Sequence, residues 1–181
     1  MMPVGPLMIE HRLIEKLMPQ IREEVEGARR TGTIDPDFVE YALDFVRTYA
    51  DRCHHGKEED ILFRELDRKP LPPGLRQTMD ELVEEHKTGR RVVGELRLAK
   101  EAYKRGEEGA LAAVIEKLEF LAEFYPAHIR KEDEGFFLPC MDYFSAEEQA
   151  ALLKEEMEFD CEFVHKIYRE KIAAWAEKIR I

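Results

Sequence analysis

The sequence predicts an all-α fold, an up-down-up-down four-helix bundle with an additional C-terminal helix. Apolar residues recur at spacings of three and four along every long segment, as in amphipathic helices. No β-branched run alternates with polar residues between tight turns, so strands are not expected. Proline and glycine clusters divide the 181 residues into five long segments. Four amphipathic helices joined by short loops are expected to pack as a bundle.

The first two predicted helices are defined by an apolar stripe and by a capping signal. The first helix spans about residues 7–28 and ends in the loop around Gly32. Its stripe contains Leu7, Ile14, Met18, Ile21 and Val25. The second helix starts with Asp35 as the N-cap and Pro36 at the first helical position, and it runs to about residue 68.

The third and fourth predicted helices are separated by glycines. Three prolines near residue 72 break the chain before the third helix, which covers about residues 74–105. Gly106 and Gly109 form the next turn, and the fourth helix continues to about residue 137 with a kink expected at Pro126. Its apolar stripe contains Leu111, Val114, Leu118, Leu121 and Tyr125.

The last predicted helix lies outside the bundle. Ser145 and Glu148 have the spacing of a capping box, so this helix starts there and extends to about residue 178. We therefore expect residues 1–140 to form the bundle and residues 141–181 to carry a C-terminal helix that packs on it. This helix is also a candidate surface for a homo-oligomer.

Charge and cysteine content exclude several classes of partner. The chain has 39 acidic and 28 basic residues and a net charge of −11, which argues against nucleic acid and anionic membranes as partners. The three cysteines, an odd number without a metal-ligand spacing, indicate a reducing compartment. No signal peptide and no long apolar stretch is apparent, so we expect a cytoplasmic location.

Histidines and glutamates interrupt the apolar stripes at similar positions. His11 lies between Leu7 and Ile14, and His86 continues the stripe of the third helix. His128 and Glu132 continue the stripe of the fourth helix.

The second helix needs a helical wheel, because it contains two overlapping His-x-x-x-Glu pairs. With Phe38 at zero and 100° per residue, Glu59 falls at about −60° and His55 at about −100°. His54 falls at about 160°, towards solvent. The wheel therefore predicts that His55 and Glu59 point inward and that His54 and Glu58 do not.

Depth along the helices gives a second test of these positions. Each inward histidine lies about 17–19 residues from the turn that joins its helix to the paired helix, so the side chains should meet at one level. The arrangement also repeats, because the Glu-His pair at His11 recurs 75 residues later at His86 and the pair His55/Glu59 recurs 73 residues later as His128/Glu132. Four histidines and two carboxylates buried without partners would be costly, and a metal site would satisfy them.

This pattern, H…HxxxE…H…HxxxE, resembles the hemerythrin-like, or HHE cation-binding, domains over about residues 7–140. The resemblance implies two iron ions with an oxo or hydroxo bridge, held by terminal histidines and by bridging Glu59 and Glu132. The metal ligands that it implies are His11, His55, Glu59, His86, His128 and Glu132. Mixed imidazole and carboxylate ligation suits iron.

One position departs from the oxygen-carrying hemerythrins, which have a fifth histidine four residues after the histidine of the third helix. This chain has Arg90 there. The expected centre therefore has a coordination position that is either open or filled by an unidentified group, and the leading function is binding or sensing of oxygen, peroxide or nitric oxide. The alternative is an enzyme that detoxifies peroxide or nitric oxide or repairs iron centres. A third hypothesis is a helical interaction protein with zinc or no metal.

Other polar residues near the site have simpler interpretations. For Tyr49 and Tyr125 core packing is favoured over metal ligation, and for Arg90 solvent is favoured over a carboxylate such as Asp60 or Asp133. The pair Glu162-x-x-His165 has the spacing of ferritin-like sites, but those sites need two such pairs. Cys53 is favoured as an inert thiol over a redox-active one.

Overall fold

The structure is a computed structural model that describes residues 2–160 and 162–178, and within these ranges it contains helices and no strand. The helices in chain order are α1 (Val4–Ile14), α2 (Leu17–Thr31), α3 (Pro36–Phe45), π1 (Val46–His55), π2 (Glu58–Phe63), α4 (Arg64–Leu66), α5 (Pro73–Lys104), α6 (Ala110–Arg130), π3 (Lys131–Phe136), α7 (Phe137–Met141), α8 (Ala146–Phe159) and α9 (Glu162–Lys178). The elements named π are π-helical, with hydrogen bonds between residues five apart. The prediction of an all-α chain is confirmed for the described residues.

Ten helical segments, from α1 through α7 with the three π-helical segments included, join end to end into four rods. The first rod is α1 with α2, the second runs from α3 through α4, the third is α5, and the fourth runs from α6 through α7. Each rod contacts the next, and α2 also contacts α6, so the four rods surround a common interior. The up-down-up-down order of the rods stays a prediction.

A bend divides the first rod at Glu15 and Lys16. Pro19 has no N–H to donate to the carbonyl of Glu15, so the regular helical hydrogen bond is lost there. Backbone bonds shorten to steps of three residues, from Lys16 N to Leu13 O at 3.2 Å and from Met18 N to Glu15 O at 3.3 Å. The single helix predicted for this segment is therefore two.

The second rod begins as predicted and then changes its pitch. The Asp35 side chain accepts a hydrogen bond from the N–H of Asp37 at 2.9 Å, and Pro36 opens α3. After Phe45 the rod is π-helical through π1 and again through π2. The fourth rod changes to π-helix in the same way after Arg130.

A layer of buried polar residues separates two apolar clusters in the interior. One cluster packs the ends of the rods formed by α2, α3 and the first half of α6, and it includes Met18, Ile21, Phe38, Phe45, Leu118 and Tyr125. The other cluster packs the opposite ends, and it includes Leu7, Leu62, Leu66, Leu82, Phe136 and Phe137. The polar layer between them is the candidate site.

The C-terminal region differs from the single helix predicted for residues 145–178. The capping box is confirmed, since the Ser145 side chain accepts from the N–H of Glu148 and the Glu148 side chain accepts from the N–H of Ser145. The helix ends at Phe159, because the extended backbone of Asp160 (ψ 126°) starts a turn before α9. Helix α8 contacts π2 and α9 contacts π1. The division of the chain at residue 140 stays a prediction, and Cys161 lies outside the described residues.

No helix in the described ranges is both long enough and apolar enough to cross a membrane.

Candidate metal centre

Seven histidine and glutamate side chains meet in the polar layer. Each of them is at most 2 % exposed. They are His11 of α1, His54 and His55 of π1, Glu58 of π2, His86 of α5, His128 of α6 and Glu132 of π3. All four rods therefore contribute to one buried cluster of potential metal ligands.

The seven side chains form two adjacent groups. His55, His86 and His128 offer ligand atoms within 4.8 Å of one another. The same spacing holds for the second group, which contains His11, His54, Glu58 and Glu132. Each group offers at least three nitrogen or oxygen ligand atoms to a cation.

The two glutamates lie between the groups and face both of them. Glu58 Oε1 is 3.5 Å from His54 Nε2, whereas Glu58 Oε2 is 3.4 Å from His86 Nε2. Glu132 Oε2 is 3.1 Å from His11 Nε2, and Glu132 Oε1 is 3.2 Å from His128 Nε2. Each carboxylate thus presents one oxygen to each group, which is the arrangement of a carboxylate that bridges two metal ions.

Carboxylates outside the cluster hold the other ring nitrogen of four histidines. Asp133 lies 2.8 Å from Nδ1 of His11, and Glu10 lies 2.8 Å from Nδ1 of His54. In the same way Glu59 lies 2.6 Å from Nδ1 of His86, and Glu85 lies 2.7 Å from Nδ1 of His128. Such a bond keeps a proton on Nδ1 and directs Nε2 into the cluster. Nε2 of His11 and Nε2 of His54 lie 2.8 Å apart in a hydrogen bond, and a metal ion would replace the proton that they share.

The cluster contains buried polar atoms that have no hydrogen-bond partner in the described part of the chain. They are Nδ1 of His55, Nε2 of His86, Nε2 of His128 and both carboxylate oxygens of Glu58 and Glu132. Buried polar atoms are seldom left without a partner, because each one costs free energy. A cation between the two groups would satisfy these atoms, so the donor set fits a metal site of imidazole and carboxylate ligands.

The chain also matches a known family of cation-binding domains. A family model described as the hemerythrin HHE cation-binding domain matches residues 2–138. The chain belongs to the hemerythrin HHE family. Comparison with curated proteins and with solved structures finds no match.

The structure departs from the predicted hemerythrin ligand set in the second rod. It brings together five of the six predicted residues, namely His11, His55, His86, His128 and Glu132. Glu59, predicted as a bridging ligand, lies outside both groups and bonds Nδ1 of His86. His54 and Glu58, predicted to face solvent, are 1 % and 0 % exposed and lie within the cluster. The ligand role of each residue stays a prediction.

The wrong orientation has a physical cause in the helix type. The helical wheel assumed 100° per residue, whereas the wider turn of a π-helix advances each residue by less. This difference in angle per residue adds up over π1, from Val46 to His55. The side chains at the end of the rod therefore point in directions other than those of the wheel. The sequence contains two overlapping HxxxE pairs, and the side-chain pattern alone does not show which of them faces inward.

The two central carboxyl groups differ in their affinity for protons. Burial, together with the neighbouring Glu132 carboxylate, raises the pKa of Glu58 well above its ordinary value. Burial acts on Glu132 in the same direction, but the surrounding imidazoles, led by His128, hold the pKa of Glu132 well below its ordinary value. Such a divergence is typical of two carboxyl groups that share one proton. A cation could replace that proton.

The histidines of the cluster are also perturbed in opposite directions. Burial and the charge of His11 lower the pKa of His54 to about 4, so this imidazole is neutral at pH 7. Burial opposes protonation of His128 as well, but Glu132 and Glu85 raise its pKa to about 10. In the same way Asp133 and Glu132 overcome burial and raise the pKa of His11 to about 9. The carboxylates thus favour a positive charge on His11 and His128, whereas His54 stays neutral.

Arg90, at the position of the fifth histidine in oxygen-carrying hemerythrins, pairs with carboxylates rather than reaching freely into solvent. Its Nε donates to Asp51 at 2.7 Å and its Nη2 donates to Glu59 at 2.7 Å. These partners differ both from solvent, the favoured prediction, and from the alternatives Asp60 and Asp133. Three imidazoles still meet in this part of the hemerythrin site, because His55 joins His86 and His128.

A small cavity reaches the cluster next to Arg90. It has a volume of about 190 Å³ and ends at His55 and Tyr125. Gly89 and Gly94 of α5 form part of its wall, and the hydrogen-bonded pair of Arg90 and Asp51 also lines it. Tyr125 is buried and its ring stacks near His55, so core packing describes it well.

The remaining candidates lie beside the hemerythrin cluster rather than in it. His165 accompanies Glu10 and Asp160 in a separate group of potential ligands. Lys57 already supplies a buried positive charge there, since it pairs with Glu10 and lies 3.3 Å from Asp160. The side chain of Glu162, the other half of the predicted ferritin-like pair, lies outside the described residues.

Proposed function

We propose that this hemerythrin-family chain binds two iron ions, oxo- or hydroxo-bridged, and that the centre binds or senses a small ligand. One ion would be held by His11 and His54, and the other by His55, His86 and His128. Glu58 and Glu132 would bridge them. This set replaces Glu59 with Glu58 and adds His54.

The observation that carries the proposal is the position of the two buried carboxylates. Glu58 and Glu132 each present one oxygen to each histidine group at 3.1–3.5 Å. One ion could be served by either group alone, but two carboxylates shared in this way match a pair of ions. Mixed nitrogen and oxygen ligation suits iron as well as other transition metals, and the resemblance to hemerythrins favours iron among them.

When bound, the irons would supply a reducible pair with a coordination position open to oxygen, peroxide or nitric oxide. The chain's own residues would control access to that position. The cavity at His55 is large enough for a ligand of two or three atoms. Asp51 and Arg90 line it, and the apolar clusters on both sides of the layer keep bulk water away.

Two adjacent glutamates provide a matched test. Glu58→Gln removes a bridging carboxylate, whereas Glu59→Gln changes only a residue that bonds the outer nitrogen of His86. Metal per chain is measured by plasma mass spectrometry on protein purified without chelator or affinity tag. We expect about two irons per chain in the wild type, in line with a two-metal site. E58Q should lose most of the iron, and E59Q should retain it with weaker affinity.

The opposite order, with iron lost from E59Q and retained in E58Q, would contradict the proposed ligand set. Zinc or a fraction of one metal ion in the wild type would contradict the iron pair. Release of the bound ligand intact distinguishes a binding or sensing protein from an enzyme. Steady-state consumption of peroxide or nitric oxide with a reductant would instead establish the enzyme.

A further inference from the structure

Three hydrogen-bonded side chains lie beside the metal centre and take no part in it. They are Tyr49 of π1, Asp160 in the turn before α9, and His165 of α9. The hydroxyl oxygen of Tyr49 is 2.9 Å from Nδ1 of His165, and Nε2 of His165 bonds the carboxylate of Asp160. Tyr49 is 2 % exposed, so its hydroxyl group depends on His165 for a partner.

The ionised carboxylate fixes the direction of its bond to His165, and the neutral form of His165 then has one direction for its bond to Tyr49. A carboxylate only accepts hydrogen bonds, so Nε2 of His165 carries the proton and donates it to Asp160. Burial favours a neutral Asp160, but His165 and Lys57 lower the pKa of Asp160 below its ordinary value and keep it ionised. In the neutral form of His165, Nδ1 is therefore unprotonated and accepts the hydrogen bond of the Tyr49 hydroxyl.

The three residues connect to the candidate metal centre through Glu10. One oxygen of Glu10 is 2.8 Å from Nδ1 of His54, and the other is 3.6 Å from Nε2 of His165. Lys57 is buried against the same carboxylate and keeps it paired. Two side chains, His165 and Glu10, therefore separate the phenol from a proposed metal ligand.

Loss of an electron from the phenol must be accompanied by loss of its proton. Burial, with smaller contributions from Glu10 and Asp160, raises the pKa of Tyr49 well above its ordinary value, so the phenol stays protonated at neutral pH. An oxidised phenol is a strong acid, and a base in hydrogen-bond contact accepts the proton as the electron leaves. Nδ1 of His165 is such a base.

We propose that Tyr49 is a redox-active tyrosine that donates one electron to the metal centre while His165 accepts its proton. For its oxidant in the cell this inference rests on the proposed function, because the electron acceptor is the oxidised metal pair. The O–H bond of Tyr49 breaks, its electron reduces the acceptor by one unit, and its proton forms an N–H bond at Nδ1 of His165. The products are a neutral phenoxyl radical and an imidazolium that faces the Asp160 carboxylate.

A cavity gives small molecules access to this pair. It lies between α1 and α9, has a volume of about 850 Å³, and is lined by Tyr49, Asp160 and His165. A small base can therefore reach the place of the His165 ring if that ring is removed. This offers a test of the proton acceptor that does not depend on the metal.

The experiment oxidises the 181-residue chain without iron. The chain is loaded with zinc, which has no redox chemistry, and a photogenerated ruthenium(III) tris-bipyridine complex serves as the one-electron oxidant. Electron paramagnetic resonance then records tyrosyl radicals. We expect a radical in the wild type that is lost in Tyr49→Phe and retained in Tyr125→Phe, a control at a buried phenol with no hydrogen-bond partner among the described residues.

His165→Ala tests the proton acceptor. We expect it to lose most of the radical yield and to regain it on addition of free imidazole, which a merely structural role of His165 would not produce. Circular dichroism verifies that each variant keeps the wild-type helix content. Absence of a radical in the wild type, its persistence in Y49F, or an unchanged yield in H165A would each overturn the inference. None of these outcomes bears on iron content, which tests the proposed function separately.

Discussion

His54 and His55 are consecutive residues, yet both side chains enter the polar layer. In a regular α-helix consecutive side chains diverge by 100°, so only one of the two would face a narrow interior. In π1 the wider turn lets each of the two histidines join a different group. The pair supplies a third imidazole to the group of His86 and His128, although Arg90 stands where oxygen-carrying hemerythrins have a histidine.

Arg90 should strengthen metal binding without touching a metal. It bonds Glu59, and Glu59 in turn bonds Nδ1 of His86. Arg90→Met leaves the Glu59 carboxylate less restrained, so His86 is oriented less firmly. Loss of such an outer partner typically costs about 10–100-fold in metal affinity, and we expect the low end of that range. Competition with a chelator of known affinity measures the change.

The neighbouring arginine provides the control for this prediction. Arg91 is exposed and pairs with Glu95 one turn away on the same helix. Arg91→Met should leave the metal affinity unchanged, because an exposed pair of this type contributes little. Equal effects of R90M and R91M would show that Arg90 acts through general charge and not through Glu59.

At the scale of residues, the sequence predicted which residues meet in the site better than it predicted the direction in which each side chain points. The positions of His11, His86, His128 and Glu132 followed from apolar stripes in rods that are α-helical up to those residues or close to them. The choice between Glu58 and Glu59 failed, since it depended on an angle summed over a π-helical stretch. The outer carboxylates Glu85 and Asp133 could have been noticed, because each adjoins a predicted ligand, but adjacency alone does not show a hydrogen bond.

At the scale of helices, the three π-helical segments coincide with the site. Segments π1, π2 and π3 contain His54, His55, Glu58 and Glu132. The helix boundaries set by caps, prolines and glycines were predictable, because those residues act locally. The π-helical pitch was not, since it depends on packing in the finished interior and has no distinct residue pattern.

Helix α8 rests on the ligand-bearing rod at Gly56. A Cβ added to Gly56 would lie 2.9 Å from Cζ of Phe159. Gly→Ala within a helix normally stabilises a protein by about 0.5–1 kcal/mol. We expect Gly56→Ala to show this gain only after Phe159→Ala has removed the ring, and to show little or no gain in the wild type.

A double-mutant cycle on the free energy of unfolding in urea measures this coupling. Gly27→Ala is the matched control, because Gly27 is helical and a Cβ there would meet nothing within 4 Å. Its gain should be the same with and without Phe159. Equal gains for G56A in both backgrounds would contradict the contact between α8 and π1–π2.

At the scale of the whole molecule, most of the buried charged side chains lie in one layer between two apolar clusters. Next to the metal centre this layer contains Glu156 of α8, whose two carboxylate oxygens are buried without a hydrogen-bond partner in the described ranges. Lys57 faces it with positive charge, and Glu10, Glu155 and Asp160 face it with negative charge. Burial, with these carboxylates, raises the pKa of Glu156 to about 8 from an ordinary value of 4.5.

The stability of the molecule should therefore depend on pH through Glu156. Between pH 4.5 and about 8 the folded chain keeps a proton on this residue that the unfolded chain has lost, so stability falls as pH rises through that interval. Glu156→Gln stays neutral at every pH. We expect its free energy of unfolding to exceed that of the wild type increasingly towards pH 8, by up to a few kcal/mol, in urea titrations at several pH values.

Glu155, next to Glu156 in α8, is the control that separates the effect of burying a carboxyl group from the effect of its position in the helix. Glu155 is half-exposed and pairs with Arg64. Glu155→Gln should shift stability by less than about 1 kcal/mol and by a similar amount at each pH above 6. A wild-type stability that does not fall relative to E156Q between pH 5 and pH 8 would show that Glu156 is ionised in the folded protein.

The contact of Phe159 with Gly56 has a thermodynamic consequence. Gly56 lies in the helical turn between His55 and Glu58. The packing of α8 and the binding of metal therefore both depend on the position of the same few backbone atoms. Linkage between two such equilibria is reciprocal. If the packing of α8 on Gly56 raises the metal affinity by some factor, bound metal raises the equilibrium constant for that packing by the same factor. Displacement of α8 from Gly56 would then lower the metal affinity by this factor, and loss of the metal would weaken the packing of α8 to the same extent.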